Sequence, residues 1–446
     1  MPRRRSRWSG RRSTLPTRPE TASPAVVETA GLEVHYQLQG GALSRLLGLR
    51  SRTVKAVDGV DLQLRRGEVL GVVGESGSGK TTLGRAMLGL APTTAGSITY
   101  HGSDGAAVVS DMKGKALRRL RTDVQMVFQD PGAALNPTMT IEQAVGHPLK
   151  IHGLASGEEL TRRVHETLEK VGLAPVERFA DKYPRDLSGG QKQRAVIARA
   201  IVMGPEVLVA DEPVSMLDMS VRAKILQLML DLKDELGLTY VYITHDLASA
   251  KYFCDRVAIM YLGRVVEVGP TEEIFANPKH PYTKALLGAI PDVDPERQVA
   301  RDLPRGEIPD AALPPLGCSF HPRCPVAREE CGWESRDLRP LLETHWTHTD
   351  GDAADFEAER AVVGDLDSFD TPSSTVTVGR DHEQVSALLD RIRAEDPDEP
   401  FWTGVARAEA DPSGGTRLTF HEPVDPRLRR SGGVDVACVR YGEDPQ

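Results

Sequence analysis

The chain has 446 residues, with 55 Lys and Arg against 64 Asp and Glu and a formal net charge of −9. That length holds two or three domains around a large core, while the acidic balance implies no basic face for nucleic acid. No window approaches the ~18 consecutive apolar residues of a membrane span, and five cysteines in so long a chain do not describe a disulfide scaffold.

Residues 1–28, rich in Arg, Pro, Ser and Thr, read as a disordered basic arm, with attraction to anionic lipid as the sharper alternative. No apolar stretch follows its arginines, so no secretory signal is expected. Apolar and polar positions alternate around Leu32, Val34 and Tyr36 and again from Val54 to Leu64. This predicts an antiparallel sheet interrupted by a loop near 40–51. From residue 67 strands alternate with helices, the pattern of a parallel sheet. Leu160, Val164, Leu168 and Val171 recur at helical spacing, within a helical subdomain placed at about 138–200. Strands return at Val207–Ala210 and Tyr240–Ile243, and a nucleotide domain spans 29–290. Residues 291–345 form a Pro-rich connector and a cysteine-bearing module, and 346–446 an acidic insertion and extension. Its run 350–370 is expected to be a solvated loop. An amphipathic helix with Val385, Leu388, Leu389 and Ile392 follows between strands.

The strongest signal is Gly74-Glu75-Ser76-Gly77-Ser78-Gly79-Lys80-Thr81, which fits the phosphate-binding loop G-x-x-x-x-G-K-[ST]. An apolar strand, Val69–Val73, precedes it, and a helix opening at Thr82 follows. Glycines let successive N–H groups close on phosphates, and the helix N-terminus adds a positive dipole end. Lys80 can reach the β- and γ-phosphates and Thr81 can ligate Mg²⁺.

Five elements follow in order. Gln129, in Val127-Phe128-Gln129-Asp130-Pro131, can contact Mg²⁺ or water and sense the γ-phosphate. Leu187-Ser188-Gly189-Gly190-Gln191 opens a helix, with free N–H groups suited to an anion. Asp211 ends a strand and can hold Mg²⁺, and Glu212 next to it is placed to polarise an attacking water. Ser215-Met216-Leu217-Asp218 makes a turn. His245 ends the next strand and can orient that water or bind the γ-phosphate.

At these residues the chain resembles the ATPase subunits of ABC transporters, over about 31–345. The resemblance implies an α/β P-loop fold with a RecA-like parallel core, an N-terminal antiparallel β subdomain and a helical signature subdomain. It implies a head-to-tail dimer in which ATP lies between one phosphate loop and the other subunit's 187–191 signature. It also implies an aromatic stacked on adenine, for which Tyr36 is the candidate. Asn277-Pro278-Lys279-His280-Pro281-Tyr282-Thr283, Gly306-Glu307-Ile308-Pro309 and Gly317-Cys318-Ser319-Phe320-His321-Pro322-Arg323-Cys324-Pro325 narrow the resemblance to oligopeptide/dipeptide importer ATPases of the F type. Related importers for nickel and sugars share this class; a soluble ABC ATPase and a non-hydrolysing regulatory partner are the rival readings. The implied partners are a second ATPase subunit in a heterodimer, two permeases and an extracytoplasmic binding protein, with no nucleic acid. The implied place is the cytoplasmic membrane face. Met216, where the family has a small residue, and the long extension after 345 depart from the pattern.

Cys318, Cys324 and Cys331 lack the C-x-x-C spacing of a zinc ribbon. Similar importer ATPases place a fourth cysteine soon after this trio in a Val-Ala-Cys string. Here that string is Val436-Ala437-Cys438, which implies a long insertion between the third and fourth ligands. Four thiolates suit a 4Fe–4S cluster or Zn²⁺, and buried thiols remain the plain alternative. Cys254 reads as a core thiol.

Overall fold

A computed structural model describes residues 23–37, 53–290, 306–348 and 353–441. The expectations for residues 1–22, for the loop at 40–51 and for the connector at 291–305 lie outside the described residues.

The strands in chain order are β1 (Ala25–Gln37), β2 (Thr53–Arg65), β3 (Val69–Val73), β4 (Ala95–Gly102), β5 (Gly105–Val108), β6 (Val124–Val127), β7 (Val207–Asp211), β8 (Thr239–Thr244), β9 (Arg256–Tyr261), β10 (Arg264–Pro270), β11 (Thr375–Val378), β12 (Val405–Ala410), β13 (Thr416–Phe420), β14 (Arg429–Ser431) and β15 (Val434–Val436). β1 starts inside the span expected to lack structure, because Val26 and Val27 are buried beneath the N-terminal sheet. That sheet is antiparallel, in the order β2-β1-β4-β5.

The central sheet runs β14-β15-β10-β9-β3-β8-β7-β6, and β6, β7, β8, β3 and β9 are parallel. Every residue of β3, β7 and β8 is buried, as expected of strands covered on both faces. Their side chains alternate between two cores. Val69, Leu208, Ala210, Tyr240 and Tyr242 belong to the core that the helices cover, Tyr240 and Tyr242 packing on Phe253, while Leu70, Val72, Val207, Val209, Val241 and Ile243 belong to the core shared with the N-terminal sheet. This two-residue period is why the apolar runs are continuous rather than alternating.

The helical subdomain holds helices Ile141–His152, Gly157–Lys170 and Gly189–Ile201. Thr140 caps the first through a reciprocal bond with Gln143, and Leu160, Val164 and Leu168 bury the second.

Beyond residue 306 the chain forms short turns around Cys318, Cys324 and Cys331, then a helix Leu338–His348. The acidic run, expected to be a loop, instead contains the helix Ala353–Val363. Its alanines and glutamates favour helix, and Glu359 is tied down by His345 and Trp346 at 3.0 Å each. The helix His382–Glu395 buries Val385, Leu388, Leu389 and Ile392 beside a three-stranded sheet, β11-β13-β12. The chain then returns to the central sheet: β15 pairs with β10, Glu267 opposite Val436.

Candidate functional site

Parallel register lines up the C-terminal ends of β3, β8, β7 and β6. Val73 pairs with Thr244, Asp211 with Ile243, and Val127 with Ala210. The phosphate loop, His245, Asp211, Glu212 and Gln129 therefore emerge at one edge, where ligands of α/β sheets bind.

Gly74–Thr81 leaves β3 and enters the helix Lys80–Met87. Gly79 caps this helix at φ 98°, and a Cβ there would stand 1.9 Å from the carbonyl oxygen of Ala56. Only glycine allows this approach. Lys80 Nζ donates to the carbonyls of Gly74 (2.9 Å) and Glu75 (2.7 Å) and to Ser78 Oγ (3.3 Å). Burial lowers its pKa, and the carboxylates of Glu212, Asp211 and Glu75 act in the opposite direction. Thr81 Oγ1 donates to Asp211 Oδ1 at 3.0 Å. Burial raises the Asp211 carboxyl, opposed first by that hydrogen bond. A hydroxyl and a carboxylate this close are hard oxygen donors of the kind Mg²⁺ takes.

Glu212 joins the other groups. Its Oε2 accepts from Gln129 Nε2 at 2.8 Å, and its Oε1 lies 2.8 Å from His245 Nδ1. The Glu212 backbone is left-handed, φ 44°, a conformation costing about 1–3 kcal/mol outside glycine. Its N–H donates to the Ile243 carbonyl at 2.9 Å, which holds it there.

The other predicted residues are placed as follows. Ser76, Gly77 and Thr82 lie in the loop and the first turn of its helix. Ser188 caps the helix Gly189–Ile201, exchanging bonds with Gln191 (3.0 and 3.4 Å). Leu187 is buried, and Gly189 and Gly190 pack toward Leu217 and Val221. No hydrogen bond joins this segment to the phosphate loop of the same chain among the described residues. Tyr36 is 40% exposed, opposite Val54 and two residues along β2 from Ala56, which abuts Gly79.

Cys318, Cys324, Cys331 and Cys438 line one small cavity with Phe320 and His321. Ala437 N–H donates to the Val266 carbonyl at 2.8 Å, which carries Cys438 to the trio. Burial pushes all four thiols up, Cys324 to about 12 and Cys331 to about 11. The one trio of His, Cys, Asp or Glu donor atoms within 4.8 Å of one another among the described residues is Glu33, His35 and Asp58. No three of the cysteine sulfurs all lie within 4.8 Å of one another. Cys254 lies apart, buried against Gly71.

Sequence reasoning missed two side chains at the loop. The Tyr282 hydroxyl accepts from Glu75 N–H (3.0 Å), and Arg323 donates to the Glu75 carboxylate (3.0 Å). Neither carries a local signal: each reaches the loop through tertiary packing. Phe128, next to Gln129, also lines a cleft of about 180 Å³ with Leu88, Leu90, Pro148 and Arg199 among others.

Residues 57–215 match the family model of ABC transporters, and residues 266–331 that of the oligopeptide/dipeptide transporter C-terminal region. The chain is similar to the dipeptide transport ATP-binding protein DppF of Haemophilus influenzae, with 46% identity over 326 residues, 73% of this chain and 94% of that one. It is similar to the oligopeptide transport ATP-binding protein OppF of Salmonella typhimurium, with 44% identity over 326 residues, 72% and 94% of the two chains. A putative peptide import ATP-binding protein of Brucella ovis is 44% identical over 321 residues, covering 72% of this chain and 96% of its own.

Proposed function

This chain belongs to the ATP-binding subunits of oligopeptide/dipeptide ABC transporters, and from that premise we propose how its residues turn ATP cleavage into peptide import. The observation that carries the mechanism is the pair of 2.8 Å contacts that gathers Gln129 and His245 onto Glu212 beside the phosphate loop.

ATP is bound by the N–H groups of Gly74–Thr81, with Tyr36 against the adenine. Lys80 leaves its carbonyl partners for the β- and γ-phosphates. Thr81, Asp211 and Gln129 would hold Mg²⁺, which would neutralise phosphate charge. Glu212 polarises the water that attacks the γ-phosphate, and His245 orients it; a base of this kind contributes on the order of 10²–10⁴ in rate. Leu187–Gln191 has no partner in its own phosphate loop and completes the site of a second ATPase subunit. ATP thus holds two such chains head to tail, and its cleavage lets them part.

Among the described residues no helix is long and apolar enough to cross a membrane. Family membership implies permease partners and peripheral association with the membrane. The cleft beside Gln129, with Leu90 at 47% and Phe128 at 38% exposure, suits a permease helix and would relay its movement to Gln129. We assign the second subunit to a heterodimer, peptide delivery to an extracytoplasmic binding protein, and the operative surface to the cytoplasmic face. Cys318, Cys324, Cys331 and Cys438 would hold a 4Fe–4S cluster, which when bound cross-links the returning strand to the module.

The test is Glu212→Gln in the assembled transporter. MgATP binding persists and steady-state hydrolysis falls by about 10²-fold or more; turnover at the parent rate would remove Glu212 from the mechanism.

A further inference from the structure

One side chain of the cysteine module reaches the phosphate loop. Arg323 sits in the turn between Cys318 and Cys324, is 7% exposed, and grips Glu75, the second residue of the loop. Its Nη1 donates to Glu75 Oε2 at 3.0 Å and its Nη2 to Oε1 at 3.4 Å, a forked pairing of guanidinium with carboxylate. The guanidinium also lies over the rings of Tyr261 and Phe320, 5.8 and 5.9 Å from their centroids. Burial opposes its charge, and the bonds to Glu75 and Tyr261 outweigh that.

The remaining polar groups of Glu75 are held as well. Its N–H donates to the Tyr282 hydroxyl at 3.0 Å, and its carbonyl accepts from Lys80 at 2.7 Å. Tyr282, Tyr261 and Phe320 pack as one aromatic cluster, with centroids 4.6–5.4 Å apart. A carboxylate in a phosphate-binding loop carries the same sign as the polyphosphate. Left unpaired, it would repel ATP and compete for Lys80.

We infer that Arg323 is a positioning residue for ATP: it neutralises Glu75 and keeps the carboxylate on the module side of the loop, so that the cysteine module sets the loop's nucleotide affinity. The inference rests on this loop binding ATP as proposed above. Arg323 touches no reacting atom; it acts through Glu75.

The experiment compares the full-length parent with Arg323→Gln, Arg323→Lys and the double variant Glu75→Gln/Arg323→Gln. MgATP affinity is read by displacement of a fluorescent ATP analogue, and KM and kcat are read in the assembled transporter. Arg323→Gln weakens MgATP by about 10-fold, since a charged hydrogen-bond partner is lost. Arg323→Lys falls between, because an ammonium cannot make the fork. The double variant returns to within about 3-fold of the parent, since the unpaired carboxylate is gone with its partner. KM rises while kcat holds. Parent-like affinity in Arg323→Gln, or an equal loss in the double variant, overturns the inference and leaves Arg323 as packing alone. If Arg323→Gln does not fold, Glu75→Gln decides: affinity at least equal to the parent supports the inference, and weaker binding overturns it. A parent chain without affinity for MgATP would sink the proposed function instead.

Discussion

At the nucleotide edge, Asp211, Glu212, His245 and Gln129 each lie at or just beyond the end of a strand, and each touches a polar neighbour within 3.0 Å. In the cysteine module, three thiols come from turns and the fourth lies two residues past a strand that returns after an inserted subdomain, and burial pushes all four thiols up. The first region stores charge in a network of hydrogen bonds and awaits a charged substrate. The second gathers thiols among buried apolar side chains, and burial disfavours their charged form. A site of the first kind is preformed by sheet register. A site of the second kind exists only if a distant segment docks.

That contrast can be broken at either end. The largest effect is expected from Lys80→Ala, which removes the one cation coiled into the loop. MgATP affinity falls by about 100-fold or more, as for loss of a charge-assisted phosphate contact, while the iron content of anaerobically purified protein stays at the parent level. Calorimetry on the same preparations checks the first half. A drop in iron would mean that the two regions are not separately assembled.

Val436→Asp attacks the other end. Val436 is 1% exposed on β15, and an unpaired carboxylate there costs about 3 kcal/mol or more. The strand detaches and takes Cys438 with it, so a cluster held as proposed above would be lost, read as loss of iron and acid-labile sulfide. Nucleotide affinity changes by less than about 3-fold, because Arg323 belongs to the turn rather than to the strand. Cys254→Ser is the control in which iron is retained, since that thiol packs on Gly71. Retained iron in Val436→Asp would exclude Cys438 from the cluster.

The smallest effect is expected from Tyr36→Ala. Stacking of a base on an aromatic ring is worth about 1–3 kcal/mol, and a ring 40% exposed in the free chain places this case at the low end, about 5-fold in MgATP affinity. No change in a competition titration would take adenine recognition away from Tyr36.

Much of the nucleotide edge was legible in the chain. The apolar runs of β3, β7 and β8 announce buried parallel strands, and residues just beyond a parallel strand's C-terminal end face the ligand whatever the helices do. The helix at Val385–Ile392 was equally plain from its spacing. The helix Ala353–Val363 was not, because charge density masked its propensity and its anchors, His345 and Trp346, come from another helix. The strand of three residues that precedes Cys438 was too short for any periodicity to reveal.

By itself, then, the order of residues determined which polar groups gather at one edge of the sheet, since spacing along strand, loop and helix confines them there. Only the folded chain decided that Gln129 and His245 converge on one carboxylate, that Arg323 and Tyr282 grip Glu75, and that Cys438 joins its trio. The reason is range: local backbone geometry determines what lies within a few residues, and contacts between distant segments follow from which apolar faces must be buried together.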